Sequence, residues 1–167
     1  IEGFLEGEDT RSTAKIFAQL GVNIETPNPQ TRIVHGVGLH GLHASTQALD
    51  CGNAGTGMRL LTGLLSGQAF DSQLVGDTSL SSRPMARVIK LLEKMGAQIS
   101  ARDDNFAPLN IKGGQSLRGV EIDTLVASHR VSTIIPHLPP RLHDRNALPV
   151  PRDHRLVRFR QQEPQEL

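Results

Sequence analysis

Two short segments hold the residues whose types and spacing could do chemistry. The first is Leu49-Asp50-Cys51-Gly52-Asn53-Ala54-Gly55-Thr56-Gly57-Met58-Arg59, where three glycines fall within six residues ahead of an apolar-periodic helix. Glycine lets backbone approach a ligand closely, and a helix start offers N–H groups and the positive end of its dipole. Arg59, one turn into the helix, can add charge. That chemistry is the binding of a phosphate or carboxylate. The segment is not a P-loop, because the Gly-Lys-Ser/Thr ending is absent, and it is not a dinucleotide fingerprint. A tightly packed glycine turn with no ligand is the plain alternative. The second segment is Gly76-Asp77-Thr78-Ser79-Leu80-Ser81-Ser82-Arg83-Pro84-Met85. Proline biases the residue before it toward extended backbone, so Arg83 should project away from the helix that follows. A guanidinium placed there can grip a carboxylate or phosphate through two parallel bonds. Read without context, it is a surface arginine.

The other reactive residue types carry less. His35, His40 and His43 do not share a helical face, and no thiol or carboxylate completes a metal set, so they read as solvent-facing or as donors to loop carbonyls. Cys51 lacks a His or Asp pattern that would mark a nucleophile and reads as a small buried residue.

These segments must be held by elements, and the elements repeat. Thr13–Ile24 (TAKIFAQLGVNI) and Val88–Ile99 (VIKLLEKMGAQI) align without a gap at an offset of 75 residues. The strands TRIVHG (Thr31–Gly36) and PLNIKGG (Pro108–Gly114) follow, and then GLHG and SLRG. This order of helix, strand and turn indicates a repeated supersecondary unit. In the first copy Asp9-Thr10 should cap a helix with Ile16, Phe17 and Leu20 buried, and Gly21 should stop it. In the second, Ser81 or Ser82 should cap, Pro84 suits the first turn, and Gly96 stops the helix. Its buried stripe is Met85, Val88, Ile89, Leu92 and Met95. A third helix, near Thr56–Ser66, presents Met58, Leu61, Leu64 and Leu65. Strands are expected near 32–37, 73–75, 109–112 and 120–123. The alternation of helices and short strands argues an α/β fold.

Composition bounds the rest. The 167 residues suffice for one domain, and a hydrophobic fraction of 37% permits a packed core. A net charge of +1 gives no sign of a nucleic-acid or membrane partner, and 3% aromatic residues with no Trp or Tyr exclude a base-stacking platform. One cysteine excludes an internal disulfide and a paired-thiolate zinc site. No apolar run approaches the roughly 20 residues of a membrane span. With no basic-then-apolar leader and Ile1 in first place, the chain reads as a fragment of a cytosolic protein. All 16 glycines lie between Gly3 and Gly119, whereas six of the ten prolines lie at or after Pro136. The late stretch therefore reads either as a disordered Pro/Arg tail or as the product of a reading-frame slip.

Together, LDCGNAGTGMRLLTGLL, GDTSLSSRPMARVIKLLEKMGAQI and the opening GFLEGEDTRST resemble the 5-enolpyruvylshikimate-3-phosphate synthases (3-phosphoshikimate 1-carboxyvinyltransferases) over about residues 1–128. The resemblance implies two domains, each of three βαβαββ units in an inside-out α/β barrel. Residues 1–128 would supply about one and a half units of the N-terminal domain, with 129–167 a divergent tail. It implies transfer of the enolpyruvyl group of phosphoenolpyruvate to shikimate 3-phosphate, by addition and elimination, without cofactor or metal, in a cytoplasmic and monomeric parent enzyme. By resemblance, Gly55 and Arg83 contact phosphoenolpyruvate and Ser128 contacts shikimate 3-phosphate. Asn53, Thr56 and Arg59 shape the first of these sites, and Asp9 starts a helix bordering it. None of these is implied to be the acid or base of the reaction.

The departures set a further expectation. The family's Lys-Ser segment lies upstream of Ile1, Arg130 stands where the family has Gln, Pro136 cuts short the next helix, and the whole C-terminal domain is missing. A site that closes between two domains cannot form from part of one, so the chain alone should lack synthase activity. Two other readings stay open: the sister transferase acting on UDP-N-acetylglucosamine, whose corresponding loop carries a reactive Cys where this chain has DTSLSS, and a non-catalytic remnant with a partial anion site.

Overall fold

The computed structural model describes residues 1–38, 40–123 and 157–160. The chain runs through helix α1 (Glu8–Gln19), strands β1 (Asn23–Asn28), β2 (Thr31–His35) and β3 (Leu49–Asp50), helix α2 (Gly55–Ser66), strand β4 (Ser72–Val75) and helix α3 (Ala86–Lys94). Strands β5 (Ile99–Arg102), β6 (Phe106–Ile111), β7 (Val120–Asp123) and β8 (Val157–Arg160) follow. Elements β3-α2-β4-α3-β5-β6 follow the order βαβαββ, and α1-β1-β2 ahead of them has the same αββ order as α3-β5-β6.

The βαβαββ run has a four-stranded sheet in the order β3-β4-β6-β5. The β3–β4 pair is parallel, and β6 runs antiparallel to both of its neighbours. Strand β6 alternates: Ala107, Leu109 and Ile111 are buried, while Pro108 and Asn110 are exposed. The buried face meets Ile16 and Leu20 of α1, Met58, Leu61 and Leu65 of α2, and Ile89 of α3 in one core. The opposite face is polar, with Gln73 Nε2 donating to Asn110 Oδ1 at 2.7 Å. A satellite cluster of Val88, Leu91, Leu92, Met95 and Ala97 lies on the far side of α3. All five residues of the stripe expected for α3 are buried, as are Met58, Leu61 and Leu65 of that expected for α2. Periodicity reads these stripes because residues three and four apart share a helix face.

The internal repeat extends to hydrogen bonds. Gly21 and Gly96 take positive φ of 94° and 103°. The next residue of each, Val22 and Ala97, donates back to Phe17 O and Leu92 O at 2.9 Å, and the glycines donate to Ala18 O and Glu93 O. Both helices thus end in the same Schellman arrangement. The free carbonyls of Leu20 and Met95 then accept the N–H groups of His43 (2.9 Å) and Arg118 (2.8 Å), again 75 residues apart. This pairs Gly41-Leu42-His43 with Ser116-Leu117-Arg118, a correction of the expected match between GLHG and SLRG. The hairpins between these points differ: Ile24 pairs with Val34, but Ile99 pairs with Ile111, two residues further on.

The helix starts also depart from the sequence reading. Helix α1 begins after Gly7, and Thr10 caps from inside, its Oγ1 accepting the Gly7 N–H at 2.9 Å. Neither Ser81 nor Ser82 caps α3. They sit in a 3₁₀ turn over Leu80–Ser82, and their hydroxyls return to Gly76 O and Ser79 O. The cap comes from Asn105 on the β5–β6 turn, whose Oδ1 accepts N–H bonds from Met85 (3.1 Å) and Ala86 (2.9 Å). Strands β1, β3, β5 and β8 are not among those expected from the sequence; β8, in the stretch read as a tail, pairs parallel with β7. Strand β1 carries Pro27 and is almost wholly exposed, and β3 is two residues long, so neither leaves a pattern to read.

Candidate functional site: an anion cradle at the ends of two parallel strands

The two singled-out segments are the loops that leave β3 and β4. These strands run parallel in register, Leu49 beside Leu74 and Asp50 beside Val75, so both loops emerge at the same carboxyl edge. That edge is where open α/β sheets place ligands. The pairing continues past the strands, with Cys51 N–H to Val75 O and Asp77 N–H to Gly52 O, each 2.9 Å. Gly52, at a positive φ of 54°, turns the first loop back, helped by its N–H to Asp50 Oδ1 at 2.8 Å.

Helix α2 then starts at Gly55 with no side-chain cap and no acidic residue in its first turn. Its first helical bond runs from Met58 N–H to Ala54 O, so the N–H groups of Thr56 and Gly57 precede the helical ladder. Thr56 is exposed at this end. The Arg59 guanidinium folds back over it, donating from Nη1 to Gly55 O at 2.8 Å and from Nη2 to Pro84 O at 3.0 Å. Arg59 therefore ties α2 to the start of the second loop's helix.

Arg83 arrives from the other loop with extended backbone (φ −85°, ψ 133°), as the following proline requires. Its guanidinium reaches across to Asn53, bonding Oδ1 through Nη2 and the main-chain carbonyl through Nη1, and it also meets Ser79 Oγ at 3.3 Å. A β-carbon added to Gly55 would lie 3.0 Å from Arg59 Nη1 and 3.1 Å from Arg83 Nη1. Gly55 is thus the residue over which both cations meet, and its missing side chain keeps them there. The result is two guanidiniums and a helix N-terminus converging on one corner, an arrangement suited to a compact anion.

Asn53, Gly55, Arg59 and Arg83 are therefore brought together, with Thr56 beside them. Asp9 is less direct. It lies one turn before Ser12 and Thr13, the residues by which α1 approaches Gly52 and Gly57. Ser128 and the expected boundary at 128/129 lie outside the described residues. Sequence reasoning missed Asp77, whose Oδ2 accepts the Asn53 Nδ2 donor at 2.8 Å and whose Oδ1 accepts the Leu80 N–H at 2.7 Å. Those two bonds hold its carboxyl below the usual carboxylate range. Nothing in the local sequence marks it, because its partner stands 24 residues earlier.

Cys51, His35 and His43 occupy structural positions. The Cys51 thiol is buried and pushed up to about 12, first by burial and second by the charge of Asp50, so it is no nucleophile at neutral pH. His35 pairs with Glu25 at 2.6 Å on the exposed hairpin, and the His43 ring packs over Gly21. No group of three metal-ligating side chains occurs among the described residues. No helix among them is long and apolar enough to cross a membrane. A groove of about 950 Å³ on the polar side of the sheet, lined by Gln73, Ser100, Asn110 and Lys112 among others, shares no residue with the cradle.

Comparison with known proteins places the chain in a family. A family model described as EPSP synthase (3-phosphoshikimate 1-carboxyvinyltransferase) matches residues 1–144. The 3-phosphoshikimate 1-carboxyvinyltransferase of Xanthomonas euvesicatoria pv. vesicatoria is 62% identical over 135 residues, covering 81% of this chain and 31% of that protein. The enzyme of the same name from Xylella fastidiosa is also 62% identical, with 30% of its length covered. Among solved structures, EPSP synthase from Acinetobacter baumannii aligns at a TM-score of 0.78 and 48% identity, over 82% of this chain and 31% of that one. The chain thus spans about a third of the length of the relatives it matches. With that family model matching residues 1–144 and relatives 62% identical over 81% of the chain, the chain belongs to the EPSP synthase family.

Proposed function

We propose that the cradle is the phosphoenolpyruvate side of an enolpyruvyl transfer site, and that the parent protein transfers the enolpyruvyl group to shikimate 3-phosphate in the cytoplasm, as a monomer. The observation that carries this is the convergence of Arg59 and Arg83 over Gly55 at the start of α2. Phosphoenolpyruvate bears a phosphate and a carboxylate close together, and two guanidiniums with a helix N-terminus offer a donor set for each. In this reading Gly55 and Arg83 contact phosphoenolpyruvate, and Asn53, Thr56 and Arg59 shape its pocket. Asp9 borders the pocket and Ser128 receives shikimate 3-phosphate.

The chemistry needs a proton delivered to the methylene carbon of phosphoenolpyruvate and attack on the adjacent carbon by a shikimate 3-phosphate hydroxyl, which gives up its own proton; phosphate then leaves the tetrahedral adduct as a proton is removed from its new methyl group, restoring the double bond. The cradle's contribution is to hold the phosphate and carboxylate as charge moves onto the leaving group. None of its residues is placed to donate that proton. The chain by itself therefore binds but does not turn over. The loop Asp77–Ser82 contains no Cys, which favours shikimate 3-phosphate over UDP-N-acetylglucosamine as acceptor.

Titration of the 167-residue chain with phosphoenolpyruvate, followed by calorimetry, tests this. Binding that Arg83→Ala removes, with no phosphate release when shikimate 3-phosphate is added, is expected. Absence of binding, or turnover above background, would contradict the reading.

A further inference from the structure

Resting on that reading of the cradle, we propose that Asp77 is a positioning residue that fixes the side-chain amide of Asn53 and, through it, aims the Arg83 guanidinium at the bound anion. The two ends of a carboxamide are alike in shape but opposite in hydrogen-bonding sense. An ionised carboxylate only accepts, so Asp77 draws the Nδ2 end of Asn53 to itself, at 2.8 Å. The Oδ1 end is thereby turned to Arg83, and it is the only end a guanidinium can bond. Asp77 cannot swing to follow, because Leu80 N–H holds its other oxygen at 2.7 Å and its own N–H is tied to Gly52 O at 2.9 Å. Orientation thus passes from main chain to carboxylate to amide to guanidinium.

The interposed amide has a second effect. The ion pairs formed among the described residues are Arg11–Glu6, Arg32–Glu6, His35–Glu25 and Lys112–Asp71, and none involves Arg83. Asp77 steers the arginine without bonding it directly, so the charge that must meet the anion is not spent on a protein carboxylate. The two consequences of Asp77 are opposed in sign. Its charge repels an incoming anion, while its bond to Asn53 prepares the anion's partner. Removing the residue shows which is larger.

The test uses the ¹⁵N-labelled 167-residue chain, with Asp77→Asn and Asp77→Ser beside the wild type. Asp77→Asn removes the charge at constant size. Asp77→Ser keeps a short acceptor for Leu80 N–H but cannot reach Asn53, so the turn retains its cap if the first variant unfolds. Two quantities are read: the Nε–Hε resonance of Arg83, identified by its loss in Arg83→Lys, and affinity for phosphoenolpyruvate. In both variants the Arg83 resonance should move to the position of a freely rotating arginine, and phosphoenolpyruvate should bind about tenfold more weakly. Unchanged or tighter binding with the resonance unmoved would show that Asp77 is background charge and would overturn the assignment. If the wild type binds no phosphoenolpyruvate, the cradle reading fails. The Arg83 resonance then still decides: its movement in the variants supports the role of Asp77, and its retention refutes it.

Discussion

Gly55 shows how much a site can depend on an atom that is not there. Its Cα is the floor on which two guanidiniums rest, and a methyl group would push into both at 3.0–3.1 Å. Flexible side chains can give way at that distance, so the fold should survive while the cradle opens. Gly55→Ala is expected to leave the thermal midpoint within about 2 °C of wild type and to weaken phosphoenolpyruvate binding about tenfold. Calorimetric titration beside a thermal melt checks both. That Gly55, Arg59 and Arg83 belong to the turns that meet here was legible in the sequence, because glycine before a helix and arginine before proline each have a local physical meaning. Asp77 was not, since its function depends on a residue from another strand's loop. Burial of Cys51 was legible as well, and the raised thiol follows from it.

At the scale of elements, what was readable is what repeats along one helix. The stripes of α2 and α3 and the stops at Gly21 and Gly96 follow from the 3.6-residue period and from glycine's access to positive φ. Helix beginnings were misread because their caps are not where sequence proximity puts them. Thr10 caps from within the helix, and Asn105 reaches α3 from a turn 19 residues later. The Asn105 oxygen satisfies two N–H groups at once, so Asn105→Ala should destabilise the chain by about 1–2 kcal/mol. Urea unfolding monitored by circular dichroism would register this as a lower midpoint at constant slope. Asn105→Asp should recover most of the loss, since a carboxylate serves the same cap.

Across the whole molecule, exposed carboxylates make acid the condition to probe. Asp71 is held low, first by Lys112 at 2.7 Å and then by the Gly113 N–H, and Asp77 by Leu80 N–H and Asn53. A carboxyl whose folded value is depressed stabilises the fold above its unfolded value and loses that contribution as pH falls through the folded one. Stability should therefore be level down to about pH 4 and decline below it. The slope should be shallower in Asp71→Asn, as followed by urea midpoints between pH 7 and pH 2.5. Both groups are exposed, so salt should blunt the effect.

The two hairpins differ in length, yet the contacts that close them are spaced alike. His43 stands 23 positions after Leu20, and Arg118 the same 23 positions after Met95, although the second hairpin is two residues longer. The return path after it must be shorter by the same amount. The two extra residues of the second hairpin are offset beyond β6, so that the following chain still docks on the helix-end carbonyl. The hairpin length thus differs between the two copies, but the spacing between the two points where each closes does not. Natural variation in this region should come in compensating pairs.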